Sequence, residues 1–243
     1  MLSVRSRFYL THPRHFLGKA VAKLMRRPSP HFRLCDLSSV MPSNSTIIEA
    51  GASRGMDTVE MAKLWPNARI LAFEPEPTAF EQLTAATWQF PNVLRIPAAL
   101  AASTGTATLH VSSSKDKLDL SDASSLLQPT AVAEYWPRLE FVKAIEVRTI
   151  TIADVLRDYG IDRIDFMWLD MQGMEIACLN GSAPVMHRVD RVYSEVFLTP
   201  LYAGAPLYPE ARRVMAKLGF RVAREYLGPL QGDVLFIRRG LPA

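Results

Sequence analysis

Three short stretches of the chain combine residue types and spacing that can do chemistry. In Glu49-Ala50-Gly51-Ala52-Ser53-Arg54-Gly55, two glycines stand in a G-x-x-x-G spacing after an apolar run. Glycines at a strand-to-helix turn let backbone N–H groups approach a ligand at a helix N-terminus. A dinucleotide fingerprint needs a glycine where Ser53 stands, so a bulky diphosphate is disfavoured and a small acid group such as a carboxylate fits better. The same spacing also serves a tight turn with no ligand. Glu74 ends the next apolar run, where an acid can accept hydrogen bonds from both hydroxyls of a ribose. It equally suits a helix N-terminus, whose dipole favours negative charge. Asp170 and Glu195 each end a later apolar run. In open α/β sheets ligands bind beyond the carboxyl ends of the strands. Both are therefore candidates for a role at a cleft, beside the ordinary roles of helix cap and ion pair.

Other reactive residues are placed less suggestively. His110 and His187 have no acid or nucleophile at a telling spacing and read as structural or surface residues. Cys35 and Cys178 match no CxxC pattern; they suit a reducing compartment and read as small buried apolar side chains. Asp116, Asp119 and Asp122 lie in a Ser-rich stretch and read as a solvated face rather than a calcium loop. With no His/Cys/Asp cluster at ligand spacing, no metal is expected.

The elements that must carry these residues alternate in type. Thr46–Ala50 reads as a buried strand, followed by a helix from about Gly55 to Trp65. Arg69–Phe73 is the next strand, and Glu74-Pro-Glu-Pro77 opens a helix to about Phe90, proline being harmless at a helix start. Val93–Ile96 follows. Thr106–Val111 and Ile145–Ile150 alternate like strands, with an exposed loop expected over 112–125. Thr151 caps a helix with Asp154 at its third position. Ile164–Leu169 ends at Asp170, a helix follows Gly173, and Val189–Ser194 ends at Glu195. A helix from Pro209 to Leu218 precedes two strands, Phe220–Glu225 and Val234–Arg238, joined across Gly228–Gly232. Strands alternating with helices argue for a parallel sheet of βαβ units. The short last join makes the final pair antiparallel, which disfavours an NAD-linked oxidoreductase, whose last strands stay parallel. The glycine turn and the strand-end acid together describe a nucleoside bearing a small acid group, a description that S-adenosylmethionine meets.

Composition sets the outer bounds. The chain has 243 residues, 49% hydrophobic and 21% charged, which excludes collagen-like, disordered and disulfide-stapled classes. No apolar run approaches the roughly 20 residues of a membrane-spanning helix. The net charge of +4 is unevenly spread: residues 1–35 hold eight of the 28 Lys and Arg and none of the 24 Asp and Glu. The rest of the chain is therefore mildly acidic, and a nucleic-acid-binding body is not expected. Within this arm Phe16, Leu17, Ala20, Val21 and Leu24 recur at helical spacing beside Lys19, Lys23, Arg26 and Arg27. Such a helix can pack on its own domain, join a second subunit in a homodimer, or make a peripheral contact with an anionic membrane. An Arg-rich, acid-free start is also the pattern of an organelle transit peptide.

Several of these stretches resemble one family, the FkbM-type S-adenosylmethionine-dependent methyltransferases. Ile48-Glu-Ala-Gly-Ala-Ser-Arg-Gly-Met-Asp-Thr58 is similar to its cofactor loop, and Ala72-Phe-Glu-Pro-Glu-Pro77 to its second-strand motif. Pro97-Ala-Ala-Leu100 is similar to the end of its third strand. Val147-Arg-Thr-Ile-Thr-Ile152 and Trp168-Leu-Asp-Met-Gln-Gly-Met-Glu175 are similar to the signatures before and in its fourth. Leu201–Glu210 and Gly232-Asp-Val-Leu-Phe236 resemble segments of one branch. Three residues depart from the pattern. Glu49 stands for the usual aspartate near the methionine amino group. Ser53 stands for a common asparagine, keeping the means to cap the helix and donate to a carboxylate. Gln172 stands where glutamate is frequent.

The resemblance implies an α/β, Rossmann-like class I methyltransferase fold: a mostly parallel seven-stranded sheet with a C-terminal antiparallel hairpin. Residues 1–45 would form a partly helical basic arm and residues 46–243 the catalytic domain. S-adenosylmethionine would sit on Glu49, Gly51, Ala52, Ser53, Gly55, Glu74, Pro75 and Ala99. The implied reaction is O-methylation of a sugar, glycan or secondary metabolite, in a cytoplasmic enzyme that does not act on nucleic acid. An alcohol needs its proton removed as it attacks, and Asp170 and Glu195 are the candidates for that base, with burial expected to raise the pKa of Asp170. Segments 103–145 and 198–208 are the candidate acceptor loops. The alternative is a catalytically silent domain that binds a membrane or a partner through its arm.

Overall fold

The computed structural model describes residues 34–115 and 123–242. The basic amphipathic segment 16–27 and the aspartates 116, 119 and 122 lie outside the described residues. A short turn of 3-10 helix, Leu34–Leu37, leads into β1 (Thr46–Ala50), α1 (Met56–Leu64), β2 (Arg69–Phe73), α2 (Pro77–Thr87), β3 (Val93–Ile96) and β4 (Ala99–Leu100). Then come β5 (Gly105–Ser114), α3 (Val132–Tyr135), β6 (Leu139–Ile150), α4 (Ile152–Asp158), β7 (Ile164–Leu169) and α5 (Glu175–Gly181). The chain finishes with β8 (Val189–Phe197), α6 (Tyr208–Lys217), β9 (Phe220–Leu227) and β10 (Gln231–Arg238).

Seven strands form one sheet in the order β3-β2-β1-β7-β8-β10-β9. All neighbours are parallel except β10, which runs antiparallel to both β8 and β9. This is the mostly parallel sheet with an antiparallel last pair that the alternating elements and the short last join imply, and it matches the class I methyltransferase arrangement that the resemblance implies. The central strands read as unbroken apolar runs because helices cover both faces. One layer joins Ile48, Phe73, Met167 and Val192 to Ile152 and Leu156 of α4, Leu179 of α5 and Met215 of α6. The other joins Ile47, Ile70 and Phe166 to Met61 of α1 and Leu83 of α2. Leu34, Leu37 and Met41 are buried in this second layer, so the stretch just before β1 is packed against the sheet. Local signals start the helices as read. The Glu76 carboxylate accepts from Ala79 N at 2.7 Å with Pro77 at the helix start, and the Thr151 hydroxyl accepts from Asp154 N at 3.1 Å.

Four local expectations are corrected. The exposed loop expected from residue 112 begins later. β5 runs to Ser114, paired with Glu140 and Leu139, and Ser112 N donates to Ser124 Oγ at 3.0 Å. Serine is a weak strand former, but here Ser112 Oγ lies 3.2 Å from Ser124 Oγ and accepts from Ala123 N at 3.1 Å. β5, β6 and β4 make a second, three-stranded sheet beside the first. Glu195 does not end its strand: β8 continues to Phe197 because Val196 and Phe197 pair with Gly232 and Gln231. Cys178 is buried, but Cys35 is exposed. Ser53 is not a helix cap: α1 starts from Gly55 with no side-chain cap. Among the described residues no helix is long and apolar enough to cross a membrane.

Candidate functional site

The strand order reverses beside β1, which has β2 on one side and β7 on the other. Ligand clefts of open α/β sheets form at this switch point. The three strands deliver the Gly51 turn, Glu74 and Asp170 to the same carboxyl edge. Gly51 N and Ala52 N both donate to Phe73 O, at 3.1 and 3.0 Å, which ties the turn to the end of β2. Gly51 and Ser53 have φ of 85° and 45°, so the loop curls back under left-handed backbone.

Glu74 braces this loop. It is 7% exposed, its Oε2 accepts from Ser53 N at 2.8 Å and its Oε1 from Glu76 N at 2.8 Å. Each carboxylate oxygen has further lone-pair capacity. A cleft of about 420 Å³ opens here, lined by Gly51, Ala52, Ser53, Glu74, Pro75, Ala99 and Asp170 among others. That volume lies within the range of small-molecule sites. The uncapped start of α1 also faces it, with Met56 and Asp57 in the lining. A helix start with no side-chain cap, an acid for a ribose and the apolar Phe73, Ala99 and Leu100 fit S-adenosylmethionine.

Two residues expected at the cofactor lie elsewhere. Gly55 is absent from the lining. A β-carbon on it would stand 2.8 Å from Leu83 Cδ1, so its small size serves the packing of α1 on α2. Glu49 is 1% exposed beneath the turn, and its carboxyl accepts from the Thr58 hydroxyl at 2.5 Å. Burial, with Asp57, Glu74 and Asp170 nearby, pushes it up to about 8.

The second half of the site gathers acids. Asp170 is exposed and lines the cleft, so the burial expected to raise its pKa is absent. The buried acids stand behind it. Glu175 accepts from Met171 N at 2.7 Å and Gly173 N at 3.0 Å, and loss of water pushes it up to about 8. Glu195 is 8% exposed, and burial foremost, then the charges of Asp170, Glu175 and Asp233, raise it well above the carboxylate range. Carboxylate oxygens of Asp170, Glu175 and Glu195 all lie within 4.8 Å of one another. Amide protons already fill this space. Gln172 Nε2 donates to Asp170 Oδ1 at 2.6 Å and to Glu195 Oε2 at 3.0 Å, and Gln231 Nε2 donates to Glu195 Oε1 at 2.5 Å. Such donors ease the repulsion among the carboxyls.

The wall opposite comes from the second sheet. Leu109, Val111, Leu126 and Val142 give an apolar surface with Ser112, Ser124 and Lys143 beside it. Segment 103–145 thus faces the cleft. Among the described lining residues none comes from 198–208; Tyr202 of that segment instead lies 2.9 Å from Gln172 Oε1. Sequence reading passed over Glu175, Tyr202 and Gln231. Glu175 and Tyr202 sit inside quoted segments and could have been found there; Gln231 had no local signal.

Residues 49–222 match the Methyltransferase FkbM domain family. Methyltransferase sdnD of Sordaria araneosa is 26% identical over 210 residues, spanning 76% of this chain and 77% of that protein. The 2-O-methyltransferase NoeI of Sinorhizobium fredii is 25% identical over 192 residues, spanning 78% and 77%. Among solved structures, Aeropyrum pernix fibrillarin with natively bound S-adenosyl-L-methionine is 11% identical, with a TM-score of 0.48 over 81% of this chain and 69% of that one. Magnesium protoporphyrin IX methyltransferase from Synechocystis PCC 6803 with bound SAM is 10% identical, with a TM-score of 0.47 over 98% and 85%.

Proposed function

The chain belongs to the FkbM methyltransferase family, and from that premise we propose that it methylates a hydroxyl oxygen of a sugar, glycan or secondary metabolite. S-adenosylmethionine is its cofactor and supplies an electrophilic methyl group. The observation that carries the proposal is the position of Asp170: an exposed carboxylate at the floor of the cleft, between the cofactor turn of β1 and the apolar wall of the second sheet.

The protein's own residues then divide the work. The start of α1, where no side chain caps the helix, holds the amino-acid end of the cofactor, and Glu74 holds the ribose. Leu109, Val111 and Val142 give the acceptor side an apolar wall, against which the hydroxyl meets Asp170. Asp170 accepts the hydroxyl proton as the new bond forms, and its exposure lets that proton leave to solvent. Glu195 and Glu175, buried and pushed towards the neutral form, keep further negative charge away from Asp170.

Three features support the choice of acceptor. A similar protein, NoeI, is by name a 2-O-methyltransferase. Asp57, Glu74, Glu76 and Asp170 line the cleft against Arg54 and Lys143, and such a net acidic lining repels a phosphate backbone, which disfavours nucleic acid. The size of the cleft suits a small molecule or the end of a glycan. Calorimetric titration with S-adenosylmethionine, then incubation of the labelled cofactor with a panel of sugars and hydroxylated metabolites, tests the reading. Binding followed by label in an ether-linked methyl group is expected. Binding with no transfer to any hydroxylated acceptor would favour a silent domain instead.

A further inference from the structure

We propose that Gln172 is a positioning residue: its side-chain amide fixes Asp170 against Glu195 and ties both to the acceptor wall. The proposal rests on the reading of Asp170 as the base. Nε2 of Gln172 donates to Asp170 Oδ1 at 2.6 Å and Glu195 Oε2 at 3.0 Å, so one amino group spans two carboxylates from different strands. Its Oε1 lies 2.9 Å from the Tyr202 hydroxyl, which also stands 2.9 Å from Ala123 O. Its backbone carbonyl accepts from the Ser125 hydroxyl at 2.7 Å, and Ser125 Oγ accepts from Leu127 N at 3.0 Å. Residues 123–127 adjoin the second sheet, and His110 N and O pair with Ser125. Gln172 is thus the point at which the acceptor wall meets the base.

The chemistry of an amide explains why this residue type serves. Asp170, Glu175 and Glu195 already bring carboxylate oxygens within 4.8 Å of one another. Asp233 on β10, Glu49 on β1, and the hydroxyls of Tyr193 and Tyr202 face the same region. A glutamate at position 172 would add another acceptor where the two strands need a donor, and the set could stay together only by binding another proton. An amide is a donor at every pH, so it orients Asp170 without adding charge. The left-handed backbone at Gln172, φ 53°, turns the side chain back towards the two strands.

The test uses the full chain saturated with S-adenosylhomocysteine and carrying carboxyl-labelled Asp and Glu. Carbon NMR reads the macroscopic titration of the cluster, and calorimetry reads cofactor-product affinity. Gln172→Glu is expected to move the cluster's first titration step upward by about one pH unit, with affinity for S-adenosylhomocysteine kept within about threefold. Gln172→Asn keeps an amide and tolerates positive φ but is too short to span both strands. It is expected to fold and to change the Asp170 resonance and its titration. Unchanged titration in the folded variants overturns the proposal. So does a loss of S-adenosylhomocysteine affinity that accounts for the whole effect, since Gln172 would then belong to the cofactor site. If Gln172→Glu does not fold, Gln172→Asn decides alone. These readouts need no turnover, so an active Asp170→Asn enzyme would sink the base assignment while leaving the link through Gln172 intact.

Discussion

Gly51 and Asp170 are packed backbone to backbone. A β-carbon placed on Gly51 would stand 1.8 Å from the Asp170 carbonyl oxygen, and Asp170 N donates to Ala50 O at 3.0 Å. The cofactor turn and the proposed base are therefore positioned by one contact between the ends of β1 and β7. Gly51→Ala should cost about 3 kcal/mol or more in urea denaturation, because backbone must move on both strands. Gly160 is the control. It too has positive φ, but nothing lies within 4 Å of its added β-carbon, so Gly160→Ala should cost only about 1 kcal/mol. Equal costs for the two would show that φ, and not the contact with Asp170, makes Gly51 necessary.

Glu74 should matter to cofactor affinity beyond its effect on folding. Glu74→Gln keeps the shape but turns one oxygen into a donor facing Ser53 N or Glu76 N. S-adenosylmethionine affinity, measured by calorimetry, should fall by about 10- to 100-fold, the usual size for losing a hydrogen bond to a charged group. A change under twofold would remove Glu74 from the site.

Asp170 and Glu195 should respond differently to loss of charge. Asp170→Asn should lower turnover by roughly 10²–10⁴, the range of a general base, with cofactor affinity changed less than about tenfold. Glu195 is buried and held towards its neutral form, so Glu195→Gln should keep turnover within about tenfold of the parent. The reverse order of effects would exchange their roles.

Two buried carboxyls predict a pH dependence of stability. Glu49 and Glu175 hold their protons up to about 8 in the folded protein, against an ordinary value of 4.5. Between those values the folded state binds more protons than the unfolded one, so stability falls as pH rises through the window and levels off above it. Glu49→Gln removes one of the two carboxyls. In cofactor-free protein it should match the parent near pH 5 and exceed it at pH 9 by a few kcal/mol at most, each tenfold change in the ionisation equilibrium being worth about 1.4 kcal/mol. Denaturation curves at those two pH values decide this, and a parent more stable at pH 9 than at pH 5 contradicts it.

Residues 1–33 should be separable from the fold, and residues 34–41 should not. A chain beginning at Leu34 keeps Leu34, Leu37 and Met41 in the second core layer; it should fold and bind S-adenosylmethionine while losing affinity for anionic vesicles. A chain beginning at Pro42 removes those three side chains and should lose several kcal/mol of stability, as large core deletions do. Loss of folding in the first chain would place the arm in the core or in a dimer contact; unchanged vesicle binding would place the membrane contact elsewhere.

Strand order in the chain, the short join before β10, the glycine turn and the acid after β2 were legible because each is written locally. Period, proline, glycine and the residue ending an apolar run decide them within about ten residues. The reach of β5 and β8 was misjudged for the same reason. Ser112–Ser114 and Glu195 look like loop residues locally, and only their partners Phe141, Glu140, Leu139 and Asp233 keep them in strands. Glu49 and Gly55 were assigned to the cofactor from a motif whose residues point to opposite sides of one turn.

By itself, then, the sequence determined which elements form, in what order, and that Glu74 and Asp170 stand at the cleft edge, because dihedral preference and apolar periodicity act between near neighbours. Tertiary structure alone decided which acid is buried. Burial and hydrogen-bond partners come from remote strands: Gln231 reaches Glu195 across 36 residues and Tyr202 reaches Ala123 across 79. The water lost at Glu195 and kept at Asp170 follows from that packing, and no spacing in the chain encodes it.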